Sequence, residues 1–184
     1  MTNKNKKILI GVTGGIAAYK TCSLINQLKR EGYEIKVIMT KAATKFVTPL
    51  TFQTLSNNPV YLDLFDVIDK TKVEHIDLAD WCDIFVVAPA TANTISKIAL
   101  GIADNLLTTV IMALPQKIPV IIAPAMNVHM WENPIVQKNI SELEKYKDKY
   151  IFVEPQEGKL ACGYEGKGKL AKTEDIIKII KKSS

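Results

Sequence analysis

Cysteine is sparse in this chain, with Cys22, Cys82 and Cys162 the only three in 184 residues. The number is odd and no pair has C-x-x-C spacing, so neither a disulfide framework nor a thiolate zinc site is suggested. At least one thiol is left available for chemistry. Aromatic residues make up 7% and do not interleave with a basic stripe, which removes the stacking-plus-phosphate pattern expected of a nucleic-acid binder. No run approaches the ~18 consecutive apolar residues of a membrane span. The opening Met1-Thr2-Asn3-Lys4-Asn5-Lys6-Lys7 leads into a strand rather than the apolar region of a signal peptide, so a cytoplasmic protein without membrane attachment is expected. Neither a G-x-G-x-x-G fingerprint nor a Walker loop is present.

What is there suits one soluble α/β domain spanning 1–184, with 47% hydrophobic and 23% charged residues. The net charge of +5 comes mainly from lysines near the two ends, including Lys178, Lys181 and Lys182, and such ends read as solvated faces. A modest positive field favours a small anionic ligand. Strand and helix patterns alternate. Strands are predicted at Ile8–Val12, Ile35–Met39, Ile84–Ala88, 118–123 and Tyr150–Val153. A helix after Gly15 carries Ile16, Leu24, Ile25 and Leu28 inward until Gly32 ends it. Further helices are predicted over 42–55 in two pieces broken by Pro49, then at His75–Cys82, Ile95–Leu100, Asn105–Leu114 and Pro134–Tyr146. This alternation implies a doubly wound parallel sheet.

Open parallel sheets bind ligands beyond the carboxyl ends of their strands, at a topological switch point. The chain's unusual features fall at those ends. Thr13-Gly14-Gly15 follows the first strand and resembles a phosphate-binding turn. Thr40 follows the second, where a dinucleotide site wants an acid for the adenosine ribose. Met39-Thr40-Lys41 offers none, so a mononucleotide fits better than NAD. Thr91, Asn93 and Thr94 follow the third strand and can either donate hydrogen bonds to a ligand or cap a helix. After the fourth strand, Pro124 to Trp131 places an amide, two thioethers and an indole within eight residues. His75 opens a helix that leads into the third strand, whereas His129 reads as structural. Segment 155–170 holds Gly158, Gly163, Gly166 and Gly168, which prevents a stable helix and suggests a mobile flap carrying the thiol of Cys162.

Taken together, His75 with Asp80-Trp81, PATANT at 89–94, PAMNVHMW at 124–131 and LACGYEGKG at 160–168 resemble the homo-oligomeric flavin-containing cysteine decarboxylases. Within that family the resemblance is strongest to the branch acting on phosphopantothenoylcysteine in coenzyme A biosynthesis, and it covers nearly the whole chain. It implies a three-layer Rossmann/flavodoxin-like flavoprotein. It implies FMN, with the phosphate near Gly14, Gly15, Ile16, Thr40, Thr91, Ala92, Asn93 and Thr94, and the isoalloxazine near Ala125 and Met126. His75 is then the catalytic base and Cys162 a proton donor from the flap. Asn127, Met130 and Lys169 then bind substrate. The implied assembly is a homo-oligomer, a trimer or a dodecamer of trimers. Many relatives are fused to the synthetase that makes the substrate. With the chain stopping at Ser184, a separate synthetase is expected. Lys169 stands where the family flap commonly has Arg, which keeps the charge and loses bidentate recognition. Alternatives of the same fold are a peptide C-terminal cysteine decarboxylase of the lantibiotic type and a non-catalytic phosphatase-regulating flavoprotein.

Overall fold

The structure, a computed structural model, describes residues 6–65, 73–161 and 163–183. Its central sheet contains β1 (Lys7–Val12), β2 (Glu34–Met39), β3 (Val60–Tyr61), β4 (Ile84–Ala90), β5 (Val120–Pro124) and β6 (Tyr150–Phe152). They lie in the order β3-β2-β1-β4-β5-β6, and every pairing is parallel. Strand order reverses between β1 and β4, which makes that junction the switch point.

The strands are apolar on both faces because helices cover both, and the period of two sorts their side chains. In β1, Ile8, Ile10 and Val12 join one core cluster, while Leu9 joins the other. The first cluster receives Leu24, Ile25 and Leu28 from α1 (Lys20–Arg30) and Phe52 from α2 (Pro49–Ser56). On the opposite face the sheet is covered by α3 (Glu74–Trp81), α4 (Ala92–Leu100), α5 (Leu106–Ala113) and α7 (Pro134–Glu144). Between β5 and α7 lies the single turn α6 (Val128–Trp131). Beyond β6 the chain forms an antiparallel hairpin of β7 (Gln156–Lys159) and β8 (Glu165–Lys169), then α8 (Thr173–Lys182).

Four details differ from the sequence expectation. The lysine-rich end is not merely a solvated face: α8 buries Ile176, Ile177 and Ile180 in the first cluster, and its lysines occupy the outer side of an amphipathic helix. Strand β3 has only two residues, too few to show a period. Ile16 is 58% exposed, because the chain after Gly15 makes a 3-10 turn over Ile16–Tyr19 before α1 begins. Strand β4 runs two residues beyond Ala88, through a cis Ala88–Pro89 peptide, and pairing resumes between Ala90 and Pro124 after a register irregularity. Proline is tolerated there because the irregular step asks no ladder donor of it.

Candidate active site

The loops after β1 and β4 are joined through one buried hydroxyl. Thr13 Oγ1 donates to the Pro89 carbonyl at 2.6 Å and accepts from the Thr91 amide at 3.1 Å. Behind it Thr21 Oγ1 donates to the Ala88 carbonyl at 2.7 Å. Gly14 is required by close approach rather than by φ, since a Cβ there would lie 2.3 Å from the Ala42 Cβ in the loop after β2. Gly15 donates its own amide to the Thr13 carbonyl at 3.0 Å, so that glycine N–H is spent inside the turn rather than offered to an anion. Further backbone donors stand at the start of α4. Thr91 caps it by accepting from the Thr94 amide at 3.3 Å, and no acid stands in its first turn. The amides of Ala92 and Asn93 have no acceptor within the helix, and the helix end favours negative charge.

A third wall comes from the exit of β5. Ala125 donates its amide to the Ala90 carbonyl at 3.0 Å, and Met126 donates to the Gly168 carbonyl at 2.9 Å, which stitches the hairpin to this exit. Only glycine suits position 168, where φ is +144° and a Cβ would meet the Met126 carbonyl oxygen at 2.4 Å. Asn127 caps α6, its Oδ1 accepting from the His129 amide at 2.8 Å. His129 meets Tyr164 edge-to-face, with ring centroids 5.0 Å apart, and Lys167 lies 5.4 Å over the Trp131 ring. The strands of the segment expected to be a flap form a hairpin that touches the PAMNVHMW segment.

These walls enclose a cavity of about 910 Å³. Every residue expected at the flavin lines it: Gly14, Gly15, Ile16, Thr40, Thr91, Ala92, Asn93, Thr94, Ala125 and Met126. Asn127, Met130 and Lys169 line it as well. His75 does not. It is half-buried on α3, which packs against α5 outside the cavity wall. Cys162 lies outside the described residues, and the two described cysteines, Cys22 and Cys82, do not reach the cavity. Burial pushes the Cys82 thiol up to about 12. Sequence reasoning missed Tyr19, Lys20, Lys41 and the Lys97–Asp104 pair at 2.6 Å. Asn105 caps α5, and nothing in the local pattern singled out Asp104 beside it. The Lys97 hydrogen bond holds the Asp104 carboxyl below its ordinary range. Burial, and then the like charge of Lys169, lower the pKa of Lys20.

The family model described as Flavoprotein matches residues 1–184. The chain belongs to the flavoprotein family. Among curated flavoprotein relatives it is 53% identical over 178 residues to the coenzyme A biosynthesis bifunctional protein CoaBC of Bacillus subtilis, a match covering 97% of this chain and 43% of the relative. It thus spans less than half the length of that relative. It is 48% identical over 175 residues to the probable phosphopantothenoylcysteine decarboxylase of Streptococcus mutans, covering 95% of this chain and 97% of the relative. A solved cysteine-to-serine mutant of PPC decarboxylase, complexed with pantothenoylaminoethenethiol, superposes with TM-score 0.84 at 31% identity, covering 97% of each chain. The FMN binding protein AtHal3 gives 0.80 at 32%, covering 96% of this chain and 95% of its own.

The flavoprotein site fits FMN on its own chemistry. The Gly14 approach brings the β1 and β2 exits together and the Thr13 hydroxyl ties in the β4 exit, while hydroxyls and helix-start amides gather at one end as neutral phosphate donors. At the exit of β2 stand Thr40 and Lys41, with no acid to hold a second ribose. Among the described residues no helix is long and apolar enough to cross a membrane, and no group of three or more His, Cys, Asp or Glu is placed to hold a metal ion.

Proposed function

We propose that this flavoprotein is an FMN-dependent decarboxylase that converts 4'-phosphopantothenoylcysteine to 4'-phosphopantetheine. One observation carries the reading: the β1, β2, β4 and β5 exits and the hairpin line a single cavity, in a chain matching a probable phosphopantothenoylcysteine decarboxylase over 97% of that relative's length. The cytoplasm is the proposed place of action, alongside the synthetase activity that joins cysteine to phosphopantothenate.

Thr91, Thr94 and the first amides of α4 hold the cofactor phosphate, while Ala125 and Met126, braced to Ala90 and Gly168, support the ring system. FMN, when bound, would supply the two-electron oxidation of the substrate thiol that opens a route for CO2 loss and would return the same electron pair to the decarboxylated product. Asn127, which caps α6 through its Oδ1, lines the cavity and binds the substrate carboxylate there. The hairpin covers the cavity and keeps water from the reacting carbon. Cys162 delivers a proton to the enethiolate late in the cycle. His75 is the base, and because it stands outside its own chain's cavity it acts on the cavity of a neighbouring copy. The working unit is then a trimer, alone or assembled as a dodecamer.

The test is to incubate the FMN-loaded protein with phosphopantothenoylcysteine and identify the product by mass. The expected product has lost CO2 and no hydrogen. A product also missing two hydrogens would place the chain with the peptide-type enzymes, and no CO2 release would sink the reading. Cys162→Ser should still release CO2 and accumulate the oxidised enethiol with the flavin bleached, since a hydroxyl is far too weak an acid to replace a thiol of pKa ~8.5. His75→Asn should retain FMN and release no CO2.

A further inference from the structure

We propose that Lys97 and Asp104 grip the pyrimidine edge of the flavin and set its reduction potential. The proposal needs FMN in the cavity and does not depend on which substrate is decarboxylated. Among the described residues Asp104 is the one carboxylate lining this cavity. Anionic groups such as the flavin phosphate are repelled by it, so a neutral N–H is the partner it suits. It is also held still. Its Oδ1 accepts from Lys97 Nζ at 2.8 Å and from Asn105 Nδ2 at 2.9 Å, and its Oδ2 accepts from Lys97 Nζ at 2.6 Å. Asn105 is fixed in turn, its Oδ1 accepting from the Thr108 amide at 3.1 Å, and Thr109 Oγ1 donates to the Ala103 carbonyl at 3.2 Å.

Lys97 stands one turn beyond Thr94 on α4, so the pair lies past the phosphate donors along the same wall. Its bonds leave Nζ with one of three protons and Oδ2 with a further acceptor position, side by side. A donor next to an acceptor complements a cyclic imide, whose N–H and C=O point the same way from neighbouring ring atoms. The flavin's N3–H and its adjoining carbonyl form such an imide. A trans amide points its N–H and C=O to opposite sides and cannot meet both members of the pair. Two-electron reduction leaves negative charge on the same pyrimidine ring, so both side chains act on the potential. Lys97 favours the reduced flavin and Asp104 opposes it. Asp104 stays ionised because the Lys97 hydrogen bond holds its carboxyl below its ordinary range.

Potentiometric titration of the FMN-loaded protein, with no substrate present, tests the pair. Lys97→Gln should lower the potential and Asp104→Asn should raise it, each by roughly a tenfold change in relative affinity for reduced over oxidised flavin, which is ~30 mV for a two-electron couple. The double variant Lys97→Gln/Asp104→Asn should return close to the wild-type value. Lys41→Gln removes an equal charge at the β2 exit and should shift the potential less. No shift, or shifts of one sign in both single variants, overturns the proposal, and so does a Lys41→Gln shift as large as that of Lys97→Gln, since net charge would then account for it. A check that needs no variant uses the wild-type apoprotein, which should bind FMN at least ~10-fold more tightly than FMN methylated at N3. Equal affinities overturn the grip whatever the variants do. A wild type that shows these shifts yet releases no CO2 would remove the decarboxylase reading and leave the pair at the flavin.

Discussion

Gly14 shows what one missing methyl group does for this protein. Its Cα lies so close to Ala42 that a Cβ would overlap the Ala42 Cβ at 2.3 Å, and the contact reaches the Ala42 backbone at 3.0 Å. Neither partner has a flexible end to move aside, so Gly14→Ala must push the β1 and β2 exits apart. Most of the buried core is remote from this contact, and the fold should persist. FMN affinity should fall by at least ~10-fold, as a displacement of a few tenths of an ångström degrades hydrogen bonds to a phosphate. Flavin fluorescence titration measures it, and wild-type affinity in Gly14→Ala would remove this contact from the cradle. A phosphate turn was legible from the glycines, but the steric reason for Gly14 was not. Its partner is 28 residues away by number, in a loop that only the parallel pairing of β1 and β2 brings near.

At the scale of elements, Thr13 does the joining. Its hydroxyl is the acceptor for the Thr91 amide and the donor to the Pro89 carbonyl, across the strands where the order of the sheet reverses. Thr13→Val preserves shape and leaves both backbone groups without that partner in a place where Thr13 is 1% exposed. Leaving buried polar groups unpaired costs about 1–3 kcal/mol each. A loss of ~2 kcal/mol lowers the Tm of a domain this size by roughly 4–8 °C. Calorimetry should show that drop in Thr13→Val and little change in Thr13→Ser, which keeps the hydroxyl. Equal Tm values for Val and wild type would mean that the two loops are held by their strands alone. The strands themselves were readable from β-branched runs and most helices from their period. The closing helix α8 was missed because Lys178, Lys181 and Lys182 read as a charged end, although Ile176, Ile177 and Ile180 carry its packing.

The whole molecule raises the question of how His75 meets the cavity. Within one chain it does not, since α3 occupies the layer against α5 and the cavity is walled by other elements. If each site borrows His75 from a neighbour, His75→Asn and Asn127→Ala chains should complement. Mixed by denaturation and refolding with FMN, two inactive proteins should regain decarboxylation, because some interfaces unite an intact Asn127 with an intact His75 of another chain. Such a head-to-tail arrangement closes into a ring, consistent with a trimer. Failure of the refolded mixture to regain activity, while each protein still binds FMN, would exclude the shared site. Sedimentation of a fully active monomer would exclude it as well.

The alternation of apolar runs and amphipathic helices determined the parallel sheet, because both periods are local properties of the chain. Strand exits bearing Gly14, Thr40, Thr91 and Ala125 followed from that sheet, since parallel strands present all their exits on one edge. The charge of the cavity was decided only by the tertiary structure. Lys20 and Lys41 look like ordinary surface lysines in sequence, and meet the hairpin's Lys159 and Lys169 only when the hairpin folds back over the β1 exit. The same holds for Gly168 beneath Met126 and for His75 outside its own cavity. Contacts between segments distant in sequence have no local periodicity to announce them, so packing alone settles which side chains share a space.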